Sequence, residues 1–319
     1  MSTNKLDVLN LINPQMRAVL AKQQELAGDF DVNVDYPTMR ARYTEERAFW
    51  NEGAPQVHQV EDHFIDTRHG AVKTRLYLPE TTQAPVIVYI HGGGFVVGNC
   101  DTHDRICRLL QTKTGAAVAS IDYSLSPEAV YPQALEECVD VTLHLHHHGE
   151  NYGIDPQRIS FAGDSGGANL GLGAYLKLRD DLPEVTWVKT LLLFYGWFGL
   201  LDSPSFRTLG GSWDGLTESD VEYYYTTYLG RTKPKDAPYF DCFRKELTEN
   251  MPATYLASAE FDPLKDDSAL LETLLTRGKI PVKHDEFKGV IHAFLHHTKM
   301  LDEANHAINN AAAFFLAHN

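Results

Sequence analysis

From residue 86 to residue 195 the chain alternates short apolar runs with helical stretches, and that alternation leaves few folds open. Residues 86–90 read VIVYI, with no charged residue, as expected of a strand covered on both faces. Further strand-like runs at 117–121, 159–162 and 189–195 are separated by helical periodicity at 104–113, 132–146 and 168–179. The cycle resumes with a strand at 253–257, a helix at 268–276, a strand at 282–287 and a helix at 302–316. Alternating strands and helices pair in parallel, because each crossover helix returns the chain to the same end of the sheet. The prediction is an α/β fold: a mostly parallel sheet with helices on both faces. Two strand-like runs, 57–66 and 72–78 around a turn at His69-Gly70, precede it.

Two segments stand outside the alternation. Residues 1–50 are helical and amphipathic, with Leu6, Leu9, Leu11, Met16, Val19 and Leu20 at near-helical spacing and a second helix at 37–50. Residues 197–250 interrupt the later cycles and are rich in aromatics and turn residues, including Trp213, Tyr223, Tyr224, Tyr225, Tyr228, Pro234 and Pro238. Both are expected to form a cap over one domain spanning 1–319.

Charge and cysteine content exclude several functions. The formal net charge of −15 repels phosphate, so neither nucleic acid nor an anionic membrane surface is an expected partner. The four cysteines, Cys100, Cys107, Cys138 and Cys242, lack metal-ligand spacing and read as small apolar residues in a reducing compartment. The N-terminal stretch has no signal-like apolar core, and the longest apolar run, 191–201, is too short to span a bilayer. A cytoplasmic location is expected.

The chemistry is carried by two glycine-rich loops. Gly163-Asp164-Ser165-Gly166-Gly167 lies between a strand and a helix. Glycines at its ends allow a tight turn that lifts the Ser165 hydroxyl to the top of the sheet, at a helix N-terminus, as a nucleophile. His91-Gly92-Gly93-Gly94 follows the 86–90 strand. Such a run leaves backbone N–H groups without internal partners, which suits an oxyanion. The expected donors are Gly92, Gly93 and Gly166.

Acid and base are sought downstream. Asp262 follows the 253–257 strand, and Pro263 holds its loop extended. Its rivals are Glu260, Asp266 and Asp267, the last two better placed to cap the next helix. His292 follows the last strand and the turn at Gly289, whereas His284 lies within that strand and His296 and His297 lie beyond the loop. Asp262 on one ring nitrogen and Ser165 on the other would make His292 a base. A cluster at His144, His146, His147 and His148 imitates a metal site, but neighbouring helical residues point apart, so no metal is expected. Tyr223–Tyr225 read as packing in the cap.

The motifs HGGGF at 91–95, DYSLSPE at 122–128, YPQA at 131–134, GDSGGAN at 163–169, WDGLT at 213–217, DPL at 262–264 and HAF at 292–294 together resemble the hormone-sensitive-lipase-like branch of the α/β-hydrolases. Within it, the likeness is to bacterial cytoplasmic acetyl esterases. The resemblance runs through almost the whole chain. It implies an eight-stranded sheet capped by the N-terminus and the insertion, and hydrolysis of short-chain acyl esters without a cofactor. Its site residues fall on Ser165, Asp262 and His292, with His91, Gly92 and Gly93 in the oxyanion loop. The chain departs from the family in having Gly166 where alanine is usual and Ala293 where glycine is usual. The implied partner is a small-molecule ester. A homodimer stays open, as does regulatory contact with a sugar-regulon transcriptional activator, which the resemblance alone suggests. The alternatives are a ligand-binding or regulatory protein on the same fold, or an amidase or formamidase using the same residues.

Overall fold

The computed structural model describes residues 4–27 and 34–319. Two helices, α1 (Pro14–Ala27) and α2 (Tyr36–Asn51), lead into a hairpin of β1 (Gln59–Thr67) and β2 (Gly70–Leu78). The alternating part follows: β3 (Ala84–Ile90), α3 (Asp104–Thr114), β4 (Ala117–Ile121), α4 (Gln133–His148), β5 (Ile154–Asp164), α5 (Gly166–Asp181) and β6 (Val188–Phe194). Helices α6 (Pro204–Thr208) and α7 (Glu218–Leu229) occupy the 197–250 segment. Then come β7 (Ala253–Phe261), α8 (Lys265–Arg277), β8 (Val282–Ile291) and α9 (Asp302–His318).

All eight strands form one sheet in the order β1-β2-β4-β3-β5-β6-β7-β8. The hairpin and the β2–β4 pair are antiparallel, and every other pair is parallel. The apolar continuity of β3 has a direct cause. Val86, Val88 and Ile90 pack into one buried cluster, while Ile87 and Tyr89 point the other way into a second. Helices cover both faces, so neither set of side chains meets water.

The chain leaves β3 toward β4 on one side and later returns to β5 on the other. The gap between the C-terminal ends of β3 and β5 is therefore where the sheet order reverses, the usual ligand crevice of an open α/β sheet. Both glycine-rich loops start there, since Ile90 stands opposite Gly163 in the ladder.

The structure lengthens several strands beyond their sequence limits, β5, β7 and β8 the most. β5 begins at Ile154, with a register shift opposite 84–86, although Asp155 and Pro156 read as loop. β7 extends to Phe261, and β8 carries Gly289 inside it at φ +72, where the pairing with β7 shifts.

The two outlying segments come back over this end of the sheet. Arg40 of α2 donates to the carbonyls of Val96 (2.9 Å) and Ser126 (2.9 Å). Phe95 stacks on Tyr228 of α7 with centroids 4.0 Å apart.

Candidate active site

Ser165 sits at the corner between β5 and α5 with φ 52 and ψ −122, a conformation that L side chains rarely adopt. Its N–H donates to the Phe194 carbonyl at 2.9 Å, which pins the corner to β6. The flanking glycines are obligatory. A Cβ on Gly163 would lie 2.5 Å from the Gly167 carbonyl oxygen, and one on Gly167 would lie 2.0 Å from that of Ile90.

The Ser165 Oγ hydroxyl donates to His292 Nε2 at 2.9 Å. His292 Nδ1–H donates to Asp262 Oδ2 at 2.7 Å, the tautomer following from the carboxylate's being an acceptor only. Asp262 is completely buried, and its other oxygen accepts from the Leu264 N–H at 2.8 Å. The Pro263 loop thus orients the carboxylate. Burial works against a charged imidazole, but the charge and hydrogen bond of Asp262 outweigh it, helped by Asp214 and Asp164, so the His292 pKa is raised. Tyr195 packs edge-on against the imidazole at 4.9 Å.

The rivals lie elsewhere. Asp266 accepts from the Ser205 N–H at 2.8 Å. Asp267 accepts from the Phe198, Gly199 and Leu200 N–H groups at 2.7, 3.0 and 3.1 Å. Glu260 accepts from Gly289 N–H at 2.8 Å. His284 is held between Ser258 and Glu272. Of the helix-end histidines, His144 meets Tyr152 at 2.9 Å while His146 stacks on Trp187 at 4.1 Å.

Two residues of the oxyanion loop differ from expectation. The Gly92 N–H donates inward to Asp164 Oδ1 at 2.9 Å and has no hydrogen left for a substrate. His91 is fully buried, its ring stacked on Tyr123 at 4.2 Å and its Nδ1 2.8 Å from the Gly92 carbonyl, so it shapes the loop. The Gly93, Gly94 and Gly166 N–H groups, by contrast, meet no acceptor among the described residues. Gly94 and Gly166 line a small pocket with Ser165, walled by Trp197, Leu216, Val221, Tyr224 and Leu264.

Sequence reasoning passed over Asp164, although it lies inside the serine motif. This buried carboxylate accepts from the Tyr89 hydroxyl (2.8 Å) and Gly92 N–H, and lies 3.3 Å from His103 Nε2 and 3.9 Å from His296 Nε2. Burial alone would raise its pKa, yet His103, Tyr89 and Gly92 together hold it down at about 2. Ligand-capable atoms of His103, Asp164 and His296 fall within 4.8 Å of one another, sealed behind the nucleophile. Only the motif aspartate signals this cluster in the sequence; the histidines come from the turn just before α3 and from the loop beyond His292.

A model of the α/β hydrolase fold family matches residues 87–296. An acetyl esterase of Salmonella enteritidis PT4 is 43% identical over 314 residues, covering 98% of this chain and 97% of that protein. An acetyl esterase of Salmonella paratyphi A matches at the same identity and coverage. Among solved structures, a hyperthermophilic esterase from the archaeon Pyrobaculum calidifontis superposes with a TM-score of 0.87 at 32% identity, covering 96% of this chain and 98% of its own. The metagenomic carboxylesterase EstE1 superposes with a TM-score of 0.85 at 25% identity, covering 90% of this chain and 99% of its own.

Proposed function

The chain belongs to the α/β-hydrolase fold family, in its hormone-sensitive-lipase-like branch, and from that premise we propose that it is a serine carboxylesterase acting on short-chain, acetyl-type esters. One observation carries the residue assignment: Ser165, His292 and Asp262 form a continuous hydrogen-bonded chain of 2.9 and 2.7 Å that ends at a pocket.

In this reading His292 takes the Ser165 proton as Oγ attacks the ester carbonyl, and Asp262 stabilises the imidazolium that results. The tetrahedral oxyanion is held by the N–H groups of Gly93, Gly94 and Gly166, while Gly92 anchors the loop to Asp164. His292 then returns the proton to the departing alcohol. Water, deprotonated by the same imidazole, attacks the acyl-enzyme, and the acid leaves as Ser165 regains its proton. None of these steps draws on a cofactor. Residues 1–50 and 197–250 serve as a cap on one hydrolase domain of 1–319. Four buried free thiols suit a reducing compartment such as the cytoplasm. No helix among the described residues is long and apolar enough to cross a membrane.

The test is Ser165→Ala with p-nitrophenyl acetate. We expect kcat to fall by roughly 10³-fold or more. Undiminished turnover would remove Ser165 from the mechanism.

A further inference from the structure

Two cavities of very different size meet at one side chain. The pocket on Ser165 has a free volume of about 20 Å³. Room for one water takes about 10–15 Å³ on the same measure, so this pocket admits a methyl or ethyl group and no more. A second cavity of about 1280 Å³ lies under the N-terminal helices and α7. Residues 94 and 95 line the first, 96 and 97 line the second, and Tyr224 of α7 lines both. Its ring lies flat on the loop. A Cβ on Gly94 would stand 2.3 Å from Tyr224 Cδ1 and 2.7 Å from Cγ and Cε1. Glycine at 94, with φ +59, is what lets the aromatic face close onto the backbone.

The acyl carbonyl oxygen must face the N–H groups of Gly94 and Gly166, which places the acyl group in the small pocket. Beyond the Tyr224 ring, the large cavity offers the space that the small pocket lacks. Its walls are mixed in chemistry. Tyr36 and Tyr223 touch through their hydroxyls at 3.2 Å, Tyr43 adds another ring, and Glu46 pairs with Arg47 at 2.9 Å beside Asp220. Leu26, Val34, Met39, Val96 and Val97 add apolar wall, so a longer acyl chain that entered the cavity would meet apolar surface.

We propose that Tyr224 is the wall that closes an acetyl-sized acyl chamber on Ser165 off from the larger cavity beyond its ring. This rests on the esterase reading above. Tyr224 is then a specificity-determining residue: it acts by volume, and shortening it joins the chambers.

The experiment measures kcat/KM for p-nitrophenyl acetate, butyrate and octanoate in the wild type and in Tyr224→Ala. The wild type is expected to lose about tenfold or more between acetate and butyrate, the cost of forcing methylenes into a filled site. Tyr224→Ala is expected to raise the octanoate-to-acetate ratio about tenfold or more. A wild type that takes octanoate as well as acetate overturns the proposal, even where the variant does not fold. So does a folded variant, judged by circular dichroism and fluorophosphonate labelling, whose ratio is unmoved. Failure of the esterase reading looks different: the wild type would neither hydrolyse acetate nor be labelled at Ser165.

Discussion

Two carboxylate–histidine assemblies flank Ser165, built from the same groups and differing in what else can reach them. On one side Asp262 holds His292 at 2.7 Å, and the far nitrogen of that ring reaches the serine hydroxyl at the pocket. On the other, Asp164 sits among Tyr89, Gly92, His103 and His296. Both aspartates are buried. The histidines diverge: His292 has its pKa raised by its carboxylate, whereas burial pushes that of His296 well down, with the Arg47 charge adding to it. An aspartate beside a histidine is therefore not a catalytic unit in itself. In the proposed mechanism the pair with an open nitrogen does chemistry, and the sealed pair holds the Gly92 loop against the Ser165 corner.

The largest expected effect comes from removing the open pair's base. His292→Gln should lower kcat by roughly 10⁴-fold or more while the fold survives; a loss below tenfold would erase the distinction. Next comes the sealed carboxylate. Asp164→Ala leaves the Tyr89 hydroxyl and Gly92 N–H buried without an acceptor, which costs about 2–5 kcal/mol in denaturant unfolding. The freed loop should also lower kcat by about 10²-fold, the scale of a lost oxyanion donor. Unchanged stability would show that Asp164 holds nothing in place.

The two sides should also answer pH with opposite sign. His292 must be neutral to act as a base, so kcat/KM should fall about tenfold per unit on the acid side, with a midpoint above 6.5. Its raised folded pKa favours the folded state below 6.5, and that stability is lost as pH rises through the folded value. His296 runs the other way. Its lowered folded pKa gives stability present above 6.5 and lost as pH falls below it. Unfolding curves from pH 5 to 9 for His292→Gln and His296→Gln should therefore lose slopes of opposite sign; a shared sign would mean that the two histidines sit in equivalent surroundings. The smallest effect is expected from His103→Gln, whose amide can still face Asp164. Activity should stay within about fivefold of the wild type, with about 1 kcal/mol lost in stability. A collapse in activity would give the sealed side a part in the chemistry.

The sequence discloses these two sides unequally. Ser165, Asp262 and His292 were legible because each sits at the end of a strand whose apolar run announces it, and because order along the chain limits the choice of acid and base. Asp164 reads as an ordinary turn residue, and nothing local ties it to His103 or His296, which the sheet brings in from distant segments. Gly92 was assigned as a donor because glycine runs suggest free N–H groups; which way each N–H points depends on a carboxylate two strands' worth of chain away. The fold shows the same contrast. β3 and β6 were clear as continuous apolar runs, whereas the first residues of β5, with Asp155 and Pro156, pair only because Ala84 lies beside Ile154. The division of the substrate site could not be read at all, since it depends on the Tyr224 ring lying over Gly94.

The contact of Gly167 with the Ile90 carbonyl sets the spacing of the whole reaction centre. Main chain touches main chain there, with no side chain interposed. The gap between Ser165 and the amides proposed to hold the anion is thus fixed by bond lengths and van der Waals radii, not by how well a core residue happens to fill its space. Repacking the interior, or rewriting the aromatic lining above, leaves that ruler unaltered. Selectivity can drift from one ester to another while the bond-making step keeps its geometry.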